Sequence, residues 1–226
     1  MQRSGYTAWY RLCGVLLAVC TALLVIAAAI AVPIVLRPFY YAQIDALQLP
    51  QQTGYSVGVI RQAYDQVMDF LVCGKPFGTG ALPYSQAGKS HFEDCRTLFQ
   101  LDFRVLGIGL ALTAALTAVR AVLRKKGLAG RQRRLPVFWS AVFSCGVFAL
   151  LAVWGAISFD SLFVAFHATF FPGKSNWIFD PATDAIINIL PETFFLRCAV
   201  LIAALIFLVN GLFFAADAVW RRRKRG

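Results

Sequence analysis

Apolar positions along this chain fall into four long runs separated by polar connections. From Leu12 to Leu36 no side chain is charged, and Thr21 is the only hydroxyl. Val105 to Val119 is a second run, extended by Arg104 and Arg120, whose long side chains can snorkel at its ends. Leu135–Ile157 and Phe194–Val219 are the third and fourth. Crossing the hydrocarbon takes roughly 20 helical residues. The pattern therefore predicts an all-α membrane protein with four transmembrane helices, about 12–36, 103–123, 135–157 and 194–219. Two long connections, about 37–102 and 158–193, complete a single integral membrane domain over 1–226. A basic start (Arg3, Arg11) and Ala29-Ile30-Ala31 also fit a cleaved signal peptide, but the run is long for one and three more spans follow.

The first connection has a pattern of its own. Val57, Ile60, Tyr64, Val67 and Leu71 recur at spacings of three and four, with Arg61, Gln62, Asp65, Gln66 and Asp69 largely on the other face. This predicts an amphipathic helix stopped by Gly74, lying on the membrane surface or packed against the helix bundle. The Gly- and Pro-rich stretch from Lys75 to Lys89 predicts irregular backbone. Ser90-His91-Phe92-Glu93 then fits a capping box with Ser90 as N-cap. His91 would occupy the first helical position, where the positive helix end keeps its ring a neutral base. Asp94 would share its face and orient a ring N–H.

In the second connection, Ser161 to Phe171 predicts a helical or interfacial segment that turns at Pro172-Gly173. Trp177, Phe179 and the stripe Ile186-Ile187-Ile189-Leu190 suit a short segment at the headgroup level. Asp180 and Asp184 fit caps of short turns.

Composition supports the membrane reading, since 59% apolar residues and a mean hydropathy of +0.65 do not suit a soluble domain with a polar shell. Charge orients it. The connection Arg120–Arg134 carries seven Lys/Arg, the tail after Trp220 five, and Arg3 and Arg11 two, while the two long connections hold ten of the eleven acids. The bias of basic residues toward the cytoplasm puts both termini inside and both long connections outside. Juxtamembrane placement argues against nucleic acid as the partner of these basic runs. His91 and His167, the only two histidines, therefore share the outer face.

No Gly-rich phosphate loop, Cys-x-x-Cys or G-x-S-x-G nucleophile elbow is present. Two histidines with Asp94, Asp180 or Glu192 would make a three-ligand metal site, although no tight His spacing supports one. A small transporter or accessory subunit with pH-sensing histidines is another reading, but the charged residues of the spans lie near their ends. Four of six cysteines fall in the predicted spans; Cys73 and Cys95 share the first outer connection. A disulfide between these two would tie the end of the amphipathic helix to the turn that holds His91.

Two segments, KSHFEDCRTLF and FHATFFPGKSNWIFDPATDAIINILPETFF, resemble the bacterial lipoprotein intramolecular transacylases. The shared features are S-H-x-x-D before the second span, F-H-x-x-F-F-P-G after the third, and W-x-F-D-P. The resemblance implies a four-helix enzyme of the cytoplasmic membrane whose site faces outward. Its reaction would move the sn-2 acyl chain of a diacylglyceryl-modified lipoprotein onto the α-amino group of that protein's N-terminal cysteine. His91 and His167 correspond to the family's two histidines. His91 is expected as base and His167 as acid or oxyanion donor, with Asp94, Trp177 and Arg197 as substrate contacts. Arg197 equally fits a snorkelling cation. No cofactor or metal is implied; the partners are diacylated lipoproteins and membrane lipid. A Cys73–Cys95 pair is not part of the resemblance.

Overall fold

The computed structural model describes residues 2–129 and 132–225, with the side chains of residues 2–6 outside that description. Arg131 and the Arg3 side chain, both counted in the charge argument, thus lie outside the described residues. The described residues form helices joined by turns and loops, with no strand. Four helices are long and apolar enough to cross a membrane: α1 (Gln2–Val35), α5 (Gln86–Lys125), α6 (Pro136–Ile157) and α9 (Glu192–Arg223). Each contains one of the four runs expected from the pattern. α5 is 40 residues long, about 60 Å and roughly twice the thickness of the hydrocarbon core. Its uncharged stretch starts at Val105, so its first turns lie well ahead of the apolar part.

The chain divides into two compact units. The first takes the described residues of 1–29, 103–150 and 203–226. Its basic connection is tied down by Asp217, a fully buried carboxylate that accepts from Arg134 Nη1 at 2.9 Å and from the Leu135 amide at 2.7 Å. A buried Arg120 donates to the Tyr10 carbonyl and to Gln132, and lies over the Tyr10 ring.

The second unit, residues 30–102 and 151–202, holds α2 (Arg37–Ala46), α3 (Leu49–Thr53), α4 (Val57–Cys73), α7 (Phe159–Phe170) and α8 (Ile186–Ile189). α4 is the expected amphipathic helix. Ser56 caps its start by accepting from the Val59 amide, and Gly74 ends it in a left-handed conformation that a side chain would resist. Most of the apolar stripe is core: Ile60, Tyr64, Val67 and Leu71 are buried, as is Ala63 beside them, whereas Val57 at the helix start is exposed. Tyr40 of α2 stacks on Tyr64 at 3.7 Å between ring centroids and donates to the Ile189 carbonyl. On the polar face Arg37 pairs with Asp65 and Asp69. The stripe Ile186–Leu190 of the second connection faces inward. Ile186 and Ile189 are fully buried and α8 packs on α3 and α4, so protein covers these residues.

Candidate active site

The site is assembled from the start of α5, the end of α7 and the loop after it, all within the second unit. α5 begins at Gln86, which places His91 in its second turn. Ser90 is therefore not the N-cap, and the capping-box expectation is corrected. Ser85 caps the helix, its hydroxyl accepting from the Gly88 amide at 2.9 Å. Asp184, 4% exposed, accepts from both the Ser85 amide and the Ser85 hydroxyl at 2.8 Å. A carboxylate at the helix N-terminus complements its dipole. This acceptor arrives from 99 residues away, which local pattern cannot show. Glu93, freed of a capping role, faces Lys89 at 4.0 Å.

α7 is capped by Ser158, whose side chain accepts from the Ser161 amide, and the chain turns at Gly173 with φ 73°. His167 lies in its last turn and is buried. Its Nδ1 sits 2.7 Å from the Phe163 carbonyl oxygen. A carbonyl only accepts, so Nδ1 carries the hydrogen, and in the neutral ring the lone pair is on Nε2.

The two imidazoles meet. Their centroids are 5.7 Å apart with planes inclined by 33°, and both rings are more than nine-tenths buried. Trp177 stacks on His167 at 4.4 Å, and Phe163 covers it at 4.3 Å. Phe171 and Phe179 stand edge-on to His91 at 5.0 and 5.5 Å. Cys95, one turn on from His91, places its sulfur 3.3 Å from Nε2. His91 Nδ1 is buried and has no hydrogen-bond partner among the described residues.

Both rings are held neutral. Burial pushes His91 down to about 4, with the neighbouring His167 and Lys174 adding to the effect against Asp94. Burial also lowers His167, opposed by the Phe163 carbonyl. Neutrality thus comes from desolvation and not from the helix end, since His91 is a turn beyond it. Burial likewise pushes the Cys95 thiol up to about 12, so it stays protonated and can donate to His91 Nε2.

Asp94 does not orient either imidazole: among the described residues no hydrogen bond joins it to His91. Lys174 Nζ donates to one of its oxygens at 2.5 Å and Asn176 Nδ2 to the other at 3.0 Å. Asn176 also reaches Ser90 Oγ at 3.4 Å, while its own Oδ1 is buried without a partner. Trp177 is anchored through its indole N–H on the Lys174 carbonyl. Arg197 donates to Gln43 of α2, and no described contact brings it to either histidine. Cys73 and Cys95 are both free thiols, which corrects the disulfide expectation. Cys73 is exposed at the end of α4, whereas the Cys95 sulfur turns toward His91. Among the described residues no three His, Cys, Asp or Glu side chains are placed to share a metal ion.

Lys174, Asn176, Cys95 and the Phe163 carbonyl are the site groups that sequence reasoning missed. Phe163 and Cys95 each lie one helical turn from a histidine, and that spacing was open to inspection. Lys174 and Asn176 sit beside the Pro172-Gly173 turn, but only the fold brings them to Asp94.

Four apolar helices and a buried pair of imidazoles walled by aromatic rings define a multi-pass membrane protein with a two-histidine site. A family model described as "Lipoprotein intramolecular transacylase Lit" matches residues 15–195. The chain belongs to this family of membrane acyltransferases, which sets the transporter reading aside. It is similar in structure to the membrane integral lipoprotein intramolecular transacylase Lit from Bacillus cereus, determined in meso. That match has 24% identity and a TM-score of 0.86, over 96% of this chain and 98% of that one. Two forms of the same Bacillus cereus protein, with one histidine replaced by arginine or by alanine, each match at 23% identity and a TM-score of 0.79. They cover 96% of this chain and 94% and 96% of theirs. At such identities the likeness establishes the fold alone. No curated protein sequence matches the chain.

Proposed function

We propose that this enzyme moves the sn-2 acyl chain of a diacylglyceryl-modified lipoprotein onto the α-amino group of its N-terminal cysteine, with His91 and His167 as the reacting protein groups. The observation that carries this reading is the pair of buried, neutral imidazoles 5.7 Å apart. The amine nitrogen attacks the ester carbonyl, a C–N bond forms and the C–O bond to glycerol breaks. One proton travels from nitrogen to the glyceryl oxygen, so no cofactor or co-reactant is required. Nucleophile and ester belong to one substrate, which supplies proximity and removes the need for an acyl-enzyme. The α-ammonium, with a pKa near about 8, must first give up its extra proton.

The Phe163 hydrogen bond leaves His167 Nε2 as the available lone pair, which supports His167 as the base. The imidazolium formed there returns its proton to the glyceryl oxygen as it departs. Donation from Cys95 to His91 Nε2 puts the His91 hydrogen on Nδ1, a group without a partner among the described residues. That N–H is then free for the tetrahedral oxyanion. These roles reverse those expected from sequence, because α5 starts earlier than Ser90 and the helix end no longer acts on His91. Trp177 holds the His167 ring by stacking. Asp94, paired with Lys174 and held by Asn176, ties the loop that carries Trp177 to α5 and is assigned to a substrate contact through its remaining lone pairs. Arg197, held by Gln43, is assigned to oxygen atoms of the substrate's lipid.

The positive-inside bias supports placing both termini in the cytoplasm, the connections about 37–102 and 158–193 outside, and the histidines at the extracytoplasmic face. Labelling of intact cells then reaches a thiol introduced by Ser175→Cys but not one introduced by Lys126→Cys. The opposite pattern reverses the orientation. For the activity, mass spectrometry of a reporter lipoprotein from cells with and without this gene locates the acyl chain. N-acylation that appears only with the gene supports the reading, and a reporter unchanged by the gene removes it.

A further inference from the structure

Away from the histidines, within the first unit, α1 and the start of α6 line an open cleft of about 650 Å³. Its walls are apolar along Val15, Ala18, Val19, Trp139 and Phe143, and four arginines, Arg11, Arg120, Arg133 and Arg134, stand around it. Two of these are committed. Arg120 is buried against the Tyr10 carbonyl and Gln132, and Gly14 lets its guanidinium lie on α1, since a Cβ there would fall 2.6 Å from Nη1. Arg134 pairs with Asp217 and covers Phe138. Arg11 and Arg133 are exposed, and no acidic side chain lines the cleft. Ser140, which also lines it, is 1% exposed and its hydroxyl has no hydrogen-bond partner among the described residues. Topology accounts for basic residues at this end of the spans. It does not account for an apolar cleft beneath them or for an unsatisfied buried hydroxyl in its wall.

We propose that this cleft binds an anionic membrane phospholipid, distinct from the lipoprotein substrate. One acyl chain lies along α1 and α6, and the phosphate is held by Arg11 and Arg133 over the preorganised Arg120. The volume falls within the range of about 300–1,000 Å³ typical of small-molecule clefts. Basic pockets between transmembrane helices at the positive end of a span bind anionic headgroups. Charge complementarity selects an anionic over a zwitterionic lipid, and the apolar wall selects a lipid over a free phosphate.

The test uses native mass spectrometry of the full-length protein with phosphatidylglycerol or phosphatidylcholine of identical chains. The expected result is preferential retention of phosphatidylglycerol. Arg11→Gln/Arg133→Gln weakens that retention by roughly tenfold or more, given about 1 kcal/mol per cation near an anionic lipid. Arg222→Gln/Arg223→Gln, which removes the same charge from the tail, leaves it unchanged. Equal retention of the two lipids overturns the proposal. So does equal loss in both double variants, which marks a generic charge effect, and so does displacement of the lipid by millimolar inorganic phosphate. A tightly folded control variant and an unchanged lipoprotein reaction separate this result from failure of the active-site reading.

Discussion

The N-terminus of α5 carries His91, and its anchoring through Asp184 makes a quantitative prediction. Asp184→Ala removes the acceptor for the Ser85 amide and hydroxyl, both at 2.8 Å, and for Thr183 Oγ1 at 3.2 Å. The hydroxyls can turn to other partners, so the dominant loss is the stranded Ser85 amide, about 1–3 kcal/mol for a buried unsatisfied group. Loss of a carboxylate at the helix start adds about 0.3–1 kcal/mol, giving roughly 1.3–4 kcal/mol together. Asp184→Asn keeps an acceptor for the amide and loses mainly the charge, so its cost is about 1 kcal/mol. Gly88→Ala tests the same anchor from the other side. Alanine within a helix normally stabilises by about 1 kcal/mol relative to glycine, but here the new Cβ would run into Asp184 Oδ1. Displacing that oxygen breaks its hydrogen bond to Ser85, so the sign of the propensity effect is reversed. Thermal unfolding in detergent, followed by aromatic fluorescence, reads these effects as shifts of roughly 2–4 °C per kcal/mol for a chain of this size. Wild type should unfold last, then Asp184→Asn, with Asp184→Ala and Gly88→Ala lowest. A Gly88→Ala protein more stable than wild type would refute the packing argument. Equal losses for Asp184→Asn and Asp184→Ala would show that charge, not the stranded amide, dominates.

Further expectations concern the rings and their neighbours. Both histidines have folded pKa values below the unfolded value, so the unfolded chain takes up protons that the folded chain refuses. Stability from this source is complete above about pH 6.5 and falls on acidification toward the His91 value of about 4. Unfolding midpoints measured from pH 7 to 4 should decline in wild type and flatten in His91→Gln; an equal slope in that variant would reject the linkage. Because His167 is also lowered by burial, the acid limb of kcat should show the substrate α-ammonium near about 8 with no second break in the ordinary histidine range, and a second break near about 6.5 would count against a resting neutral base. Cys95→Ala should lower kcat on the order of tenfold at unchanged KM, short of the roughly 10²–10⁴-fold of an acid–base group. Cys95→Ser, which keeps a donor, should restore most of it, and equal rates in the two variants would remove Cys95 from the site.

Much of this protein was legible along the chain, for identifiable reasons. A membrane span is a composition signal about 20 residues long, and all four appear as helices. α4 was legible because its stripe is periodic and Gly74 ends it. The start of α5 was not, because a local capping box competes with a long-range one. Ser90 and Glu93 satisfy the pattern, yet Asp184 reaches across from the second connection and lets Ser85 cap the helix instead. What covers Ile186 and Ile189 was not legible for a related reason, since an apolar stripe looks the same whether protein or lipid covers it. The two histidines stood out by rarity and by their apolar neighbours. What each ring nitrogen does depended on Phe163 and Cys95, which declare their roles only once the helices are built.

The central claim is that His91 and His167 together perform the intramolecular transfer. It is tested most directly by mass spectrometry of a reporter lipoprotein in cells that carry His91→Ala or His167→Ala at wild-type protein levels. Each variant is predicted to leave the reporter diacylated with a free α-amine, while wild type yields the N-acyl lyso form. Complete conversion to the N-acyl lyso form by either variant would contradict the account.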